Sequence, residues 1–238
     1  MARPRQFDEK KTLAAVRDEF ASRGFEATSL DDLMRVTGLG KGSIYAAFGD
    51  KHQLFLSALR FYSDAALRVT YAALSSDNPA IERLRLLFHV PDNGKGVTRP
   101  YRGCFLANST TELAAHDRDV RNLARQTYQA VEGILAEVVE QAQRDGDLWS
   151  VTDPAELGRL LLAVMQGIEF LRKSGMTAEQ VHSIGHVAEQ LLLRGDKSSG
   201  RVKPSARAVA DSTFKKTHGG ERRRKSMPAA KIIRPKER

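Results

Sequence analysis

Apolar residues recur at intervals of three and four through most of this chain, and no clear alternation at intervals of two appears. A helix gathers positions i, i+3, i+4 and i+7 on one face, whereas a strand gathers i, i+2 and i+4, so this spacing constrains the fold class more than any other feature. The longest case runs from Asp117 to about Asp145, where Val120, Leu123, Ala124, Val131, Ile134, Leu135 and Val138 form one stripe. Shorter stripes recur before and after it, without an internal repeat. The expectation is an all-α chain of about nine helices.

Local punctuation divides the pattern. A first helix begins near Asp8 with Leu13, Val16 and Phe20 inward, and Gly24 is its stop. Ser29 followed by Asp32 forms a capping box with Asp in the Glu place, opening a short helix to Thr37 with Leu30, Leu33 and Met34 inward. Gly38-Leu39-Gly40 makes a tight turn before a second short helix, Lys41 to Phe48, with Ile44, Ala47 and Phe48 inward. Asp50 caps a long helix carrying Leu54, Phe55, Ala58 and Tyr62, and Asn78-Pro79 starts another that reaches about His89. Residues 91–103 read as a loop, and a helix follows around Cys104 to Ala115. Asp153-Pro154 and Thr177 open the last two helices, with Leu157, Leu161, Val164, Met165 and Ile168 inward on one and Val181, Ile184, Ala188 and Leu191 on the other.

Charge is unevenly placed along the 238 residues. Of 38 Lys/Arg and 29 Asp/Glu in all, residues 196–238 hold 14 and 4, which leaves 24 and 25 for the rest. The basic balance therefore belongs to a tail rich in Ser, Gly, Pro, Lys and Arg, which cannot bury enough apolar surface to offset its ordering entropy and is expected to be disordered. No run reaches the roughly 18 apolar residues of a membrane span, and the N-terminus has no apolar signal core. The single cysteine, Cys104, excludes an internal disulfide framework and fits a reducing cytoplasm.

The stretch GLGKGSIYAAFGDK, residues 38–51, resembles a phosphate loop at first sight. A P-loop would need glycine five residues before Gly40, where Arg35 stands, and Ser or Thr after Lys41, where Gly42 stands. The dinucleotide pattern fails as well, because Ser43 and Tyr45 occupy its third-glycine positions, and the preceding segment is helical rather than extended. Two short helices joined by a glycine turn read instead as a helix-turn-helix, whose second helix enters a major groove. On composition alone a merely structural helix pair remains open.

The segment TSLDDLMRVTGLGKGSIYAAFGDKHQLF, residues 28–55, resembles the DNA-binding region of the tetracycline-repressor (TetR) family. The likeness includes the preceding SRGFEATS, then Gly38, Lys41-Gly42, Tyr45 with Phe48, and Lys51 with Leu54, over roughly residues 8–66. It implies a three-helix DNA-binding domain at 7–67, a helical ligand-binding and dimerisation domain at 68–195, and a basic tail at 196–238 outside the family pattern. The resemblance places Thr28, Tyr45 and Lys51 against DNA phosphates, and Lys41, Gly42, Ser43 and Ala46 nearest the bases. Lys51, in the first turn of a helix, is poorly placed on dipole grounds, which supports a functional reading. Gly40 departs from the frequent Ser, and Ala46-Ala47 from a polar pair, so DNA shape is expected to carry part of the specificity.

Beyond residue 67 the resemblance implies a homodimer whose last two helices pair with their copies, with two recognition helices about 34–36 Å apart on double-stranded DNA. It further implies a repressor released by a small-molecule effector. YRGCFLANSTTELAAHD, residues 101–117, is similar to the Gly-Cys-Leu-containing helix of one subset, with Phe105 in the leucine place. Cys104 reads either as a small buried hydrophobe or, with Arg99 and Arg102 nearby, as a sensor of oxidants or electrophiles. His182 with His186, and Glu112 with His116, have a metal-compatible spacing but lack a third ligand, so no metal and no cofactor are expected. Catalytic motifs are absent, and the chain is read as a non-enzyme. The alternatives are a helical ligand-binding module that does not bind DNA, an all-α enzyme acting on a small molecule, and an activator of the same family.

Overall fold

The computed structural model describes residues 7–88 and 102–193. Nine α-helices run through them, with no strand among the described residues. They are α1 (Glu9–Arg23), α2 (Leu30–Thr37), α3 (Lys41–Phe48), α4 (Lys51–Leu74), α5 (Ala80–Arg85), α6 (Phe105–Leu113), α7 (Arg118–Arg144), α8 (Pro154–Lys173) and α9 (Ala178–Leu192). The all-α expectation holds.

The caps act where the sequence places them. Asp8, Asp50, Asp117 and Asp153 each accept N–H groups of the first turn they precede. Ser29 and Thr177 form full capping boxes with Asp32 and Gln180. Gly24 and Gly38 close α1 and α2 with φ of 81° and 70°, a region that L side chains adopt only with strain. The fifth helix is shorter than expected, because α5 ends at Arg85 and tightens into a 3-10 turn over Leu86–Phe88.

Two apolar clusters fill the interior. One joins Leu74 and α5 to the C-terminal half of α7, α8 and α9, around Leu84, Leu135, Val139 and Leu161. The other joins α1 to α4 around Val16, Phe20, Leu33, Ile44, Leu54 and Phe55, and it also takes in Phe105, Leu106 and Leu113 of α6 and Val120 and Ala124 of α7. Packing therefore does not divide at residue 67. The helix expected to belong to the effector half supplies part of the core beneath the helix-turn-helix, because Phe105 and Leu106, each 3% exposed, belong to that cluster.

On α9, Val181 is buried and Ile184 and Ala188 are partly buried, but Leu191 is 71% exposed rather than inward. A broader apolar face than the core needs explains this: on α8, Leu160, Ala163, Gly167 and Phe170 also lie outward at helical spacing. The tail expected at 196–238, the loop at 91–101 and Arg99 lie outside the described residues.

Candidate nucleic-acid interface

Helix α3 is held by one face and presents the other. Ile44 is fully buried, and Ala47 and Phe48 are partly buried behind it. Lys41, Gly42, Ser43, Tyr45 and Ala46 are all exposed. With 3.6 residues per turn, Gly42, Tyr45 and Ala46 share one face at i, i+3 and i+4. Lys41 stands at the start of that face, with its ammonium 5.7 Å from the Tyr45 ring centroid.

Glycine at position 42 has no internal explanation. A Cβ there would meet nothing within 4 Å, and its backbone is ordinary helix. Glycine inside a helix costs about 0.5–1 kcal/mol relative to alanine. Space left free on an exposed helix face at such a cost is what close approach to an external backbone or groove requires. Gly40, the N-cap, is equally open and gives α3 no side-chain cap.

Thr28 and Lys51 are placed differently from the α3 residues. Thr28 is fully buried and its hydroxyl donates to the Gly24 carbonyl at 2.6 Å, so it does not present that hydroxyl to a phosphate; it holds the α1–α2 turn in shape. Lys51 lies at the N-terminus of α4 with its ammonium 4.4 Å from the centre of the Phe25 ring, so among the described residues aromatic electrons and not a carboxylate position this cation. It remains partly exposed.

Two carboxylates, Glu112 and Asp117, tie this region to the rest of the chain through contacts that their sequence positions do not announce. Glu112 on α6 accepts the N–H groups of Phe25 at 2.8 Å and Glu26 at 3.1 Å. Gly24 makes room for it, because a Cβ at Gly24 would lie 2.9 Å from the Glu112 carboxylate. His52, beside Lys51, meets the Asp117 carboxylate at 2.6 Å. Burial opposes the charge on Asp117, but the Val120 N–H and His52 outweigh it and hold its pKa below the usual carboxylate value. The partners lie more than 60 residues apart, and no local pattern announces either pair.

Aromatic rings continue the connection. Phe25 meets Phe55 at 5.0 Å, Phe55 meets Phe105 at 5.8 Å, and Phe105 meets Tyr62 at 5.7 Å, each edge to face. The Tyr62 hydroxyl donates to Cys104 Sγ at 3.5 Å. Burial pushes the Tyr62 phenol far above its ordinary value, and burial pushes Tyr128 up to about 12, with Cys104 acting on both in the same direction. Cys104 is thus a partly buried thiol that accepts a phenol hydrogen bond. Arg102, expected beside it, donates instead to the Asp18 carbonyl at 3.0 Å. Glu112 is committed to the turn, His186 lies 2.9 Å from Gln190, and no group of three metal-ligating side chains occurs among the described residues.

Known proteins carry the same organisation. The model of bacterial regulatory proteins of the tetR family matches residues 13–58, and that of the tetracyclin repressor-like C-terminal domain matches residues 80–182. The chain belongs to the TetR family, and it is a ligand-responsive, DNA-binding transcriptional regulator. It is 28% identical to the HTH-type transcriptional repressor ComR of Escherichia coli (strain K12), over 76% of this chain and 87% of that one. A cysteine mutant of the TetR family transcriptional regulator CifR, complexed with 26-bp double-strand operator DNA, matches at 27% identity with a TM-score of 0.62, covering 79% of this chain and 98% of that one. A TetR family regulator from Cytophaga hutchinsonii shares the fold, with a TM-score of 0.67 at 21% identity over 79% of this chain and 96% of the other.

Proposed function

We propose that the chain is a homodimeric repressor that binds a near-palindromic operator through α3 and leaves it when a small molecule binds the helices beyond α4. The observation that carries this reading is the exposed α3 face, where Gly42 leaves open space and Lys41, Ser43, Tyr45 and Ala46 surround it. Tyr45 and Lys51 meet phosphates in this reading, while Lys41, Gly42, Ser43 and Ala46 lie nearest the bases. Thr28 acts indirectly, by fixing the turn that aims α2 and α3.

The domains are assigned as 7–67 for DNA binding and 68–195 for effector binding and dimerisation, with α6 packed against both. The outward stripe of Leu160, Ala163 and Gly167 on α8, with Val187 and Leu191 on α9, supports a seam between two copies. Cys104 is assigned a place in the effector response through its contact with Tyr62. No described helix is long and apolar enough to cross a membrane, which supports a cytoplasmic place for the protein. The tail adds sequence-independent affinity through its Lys and Arg residues.

A gel-shift titration of the full chain on the DNA upstream of its own gene, with excess nonspecific competitor, tests this. A discrete complex that survives the competitor is expected. Binding that vanishes with competitor contradicts the assignment of specificity to α3. Treatment with a thiol-modifying reagent in the same assay removes Cys104 from the response if the complex is unchanged.

A further inference from the structure

A cleft of about 570 Å³ opens where the end of α1, the start of α6 and the end of α8 meet, directly beside the Glu112 clamp. Its size falls within the range that small-molecule sites occupy, roughly 300–1,000 Å³. One wall is assembled around a cation. The Lys173 stem crosses Gly103, whose φ is 71° and whose Cβ would lie 3.1 Å from Lys173 Cδ. The Lys173 ammonium donates to Asn108 Oδ1 at 2.6 Å, and Asn108 Nδ2 donates to the Arg102 carbonyl at 2.8 Å, so Arg102 and Lys173 belong to one wall.

The charges on the lining do not cancel. Arg23 is taken by Asp32 at 2.7 Å, Glu169 by Arg172 at 3.0 Å, and Glu112 by the two N–H groups of the α1–α2 turn. Arg102 and Lys173 meet only neutral oxygens among the described residues. The exposed Phe170 supplies apolar surface between. Further along α8, the side-chain oxygen of Gln166 is buried and has no hydrogen-bond partner among the described residues. Gln166 and Lys173 are two turns apart on one helix face, about 10 Å along its axis.

We propose that this cleft is the effector site and that its occupant is a hydroxylated aromatic monocarboxylate, with the carboxylate at Arg102 and Lys173, the ring beside Phe170, and the hydroxyl donating to Gln166. The proposal rests on the ligand-responsive reading above and adds the site and the chemical class. It also gives the occupant a route to DNA. An organic anion between α6 and α8 bears on the helix whose Glu112 fastens the α1–α2 turn, and a shift of α6 changes the aim of α2 and α3.

Isothermal titration of the full chain with 4-hydroxycinnamate, with its amide and with cinnamate tests the assignment. The expected result is one acid bound per chain, with the amide and the Lys173→Gln variant each weakened about tenfold or more, which corresponds to about 1.4 kcal/mol. Cinnamate, lacking the hydroxyl, is expected to bind more weakly than its hydroxylated relative. Lys173→Arg keeps the cation and is expected to recover most of the affinity, which separates lost charge from lost folding. Equal binding of acid and amide, Lys173→Gln binding like wild type, or no binding at about 1 mM overturns the proposal. A gel shift of the same wild-type sample without probe distinguishes the failures. Intact DNA binding with no probe bound removes the cleft alone, and absence of both removes the regulator reading too.

Discussion

Replacing Gly42 by alanine sets folding and DNA binding against each other. The added methyl meets no atom within 4 Å, and the position has helical backbone, so nothing in the chain opposes it. Alanine gains about 0.5–1 kcal/mol over glycine in a helix, and the first-turn location of Gly42 puts the gain toward the lower end. For a chain of this size about 1 kcal/mol moves the melting temperature by about 2–4 °C, so a rise of about 1–3 °C is expected. On DNA the same methyl projects from the face that enters the groove. If α3 retreats by the width of a methyl group, it forfeits contacts worth about 1–3 kcal/mol at that half-site, a loss of about 5- to 150-fold in affinity. Thermal melting by circular dichroism and operator titration by fluorescence anisotropy read the two effects on one preparation. A stabilised variant with wild-type affinity would refute the placement of Gly42 at the groove. A destabilised variant would show that α3 does not have the open geometry described.

Lys51→Met is expected to lower the slope of log affinity against log salt by about one per contact, with a stability loss of at most about 1 kcal/mol from the ring of Phe25. An unchanged slope would confine Lys51 to packing. Glu112→Ala frees the N–H groups of Phe25 and Glu26. Because the site is solvent-accessible, the expected cost is about 1 kcal/mol, with faster amide exchange at those two positions measured by NMR. In acid, Asp32 and Asp117 both carry pKa values below the ordinary carboxylate value, Asp32 chiefly through the Ser29 hydroxyl and N–H. Their stabilisation is full above the unfolded value near pH 4 and is lost as the pH falls through the lower folded values. Asp117→Asn is expected to flatten the acid limb of a melting-temperature profile below about pH 4. An unchanged limb would mean that the N–H groups of the first turn of α7 and the contact with His52 together do not hold the Asp117 carboxyl low in solution.

The parts of the fold that were legible in the sequence are those fixed within one helical turn. The Ser29–Asp32 box acts over three residues, Thr177 opens its helix from the first turn, and the Gly24 stop and the Gly38 turn are set by local backbone sterics. The outward face of α3 was legible for the same reason, since Ile44, Ala47 and Phe48 define the opposite one. The clamp of Glu112 and the pairing of His52 with Asp117 were not, because surface carboxylates carry no mark of a partner dozens of residues away. Thr28 shows a related limit. A hydroxyl before a helix serves a phosphate or a neighbouring carbonyl equally well, and only the closed α1–α2 turn decides for the Gly24 oxygen. Likewise α6 reads as one more amphipathic helix, while its division of Phe105 and Leu106 from the distal core depends on where the long α7 carries the chain.

Symmetric reading of DNA by two copies of α3 is tested by selection of binding sites from random double-stranded DNA by the full chain, followed by footprinting of the enriched sequence. The expected result is a near-palindrome with half-sites about one helical turn, 34–36 Å, apart, each protected along the major groove. Enrichment of no sequence, or of a single site without a symmetric mate, would contradict a two-fold pair of α3 helices reading DNA.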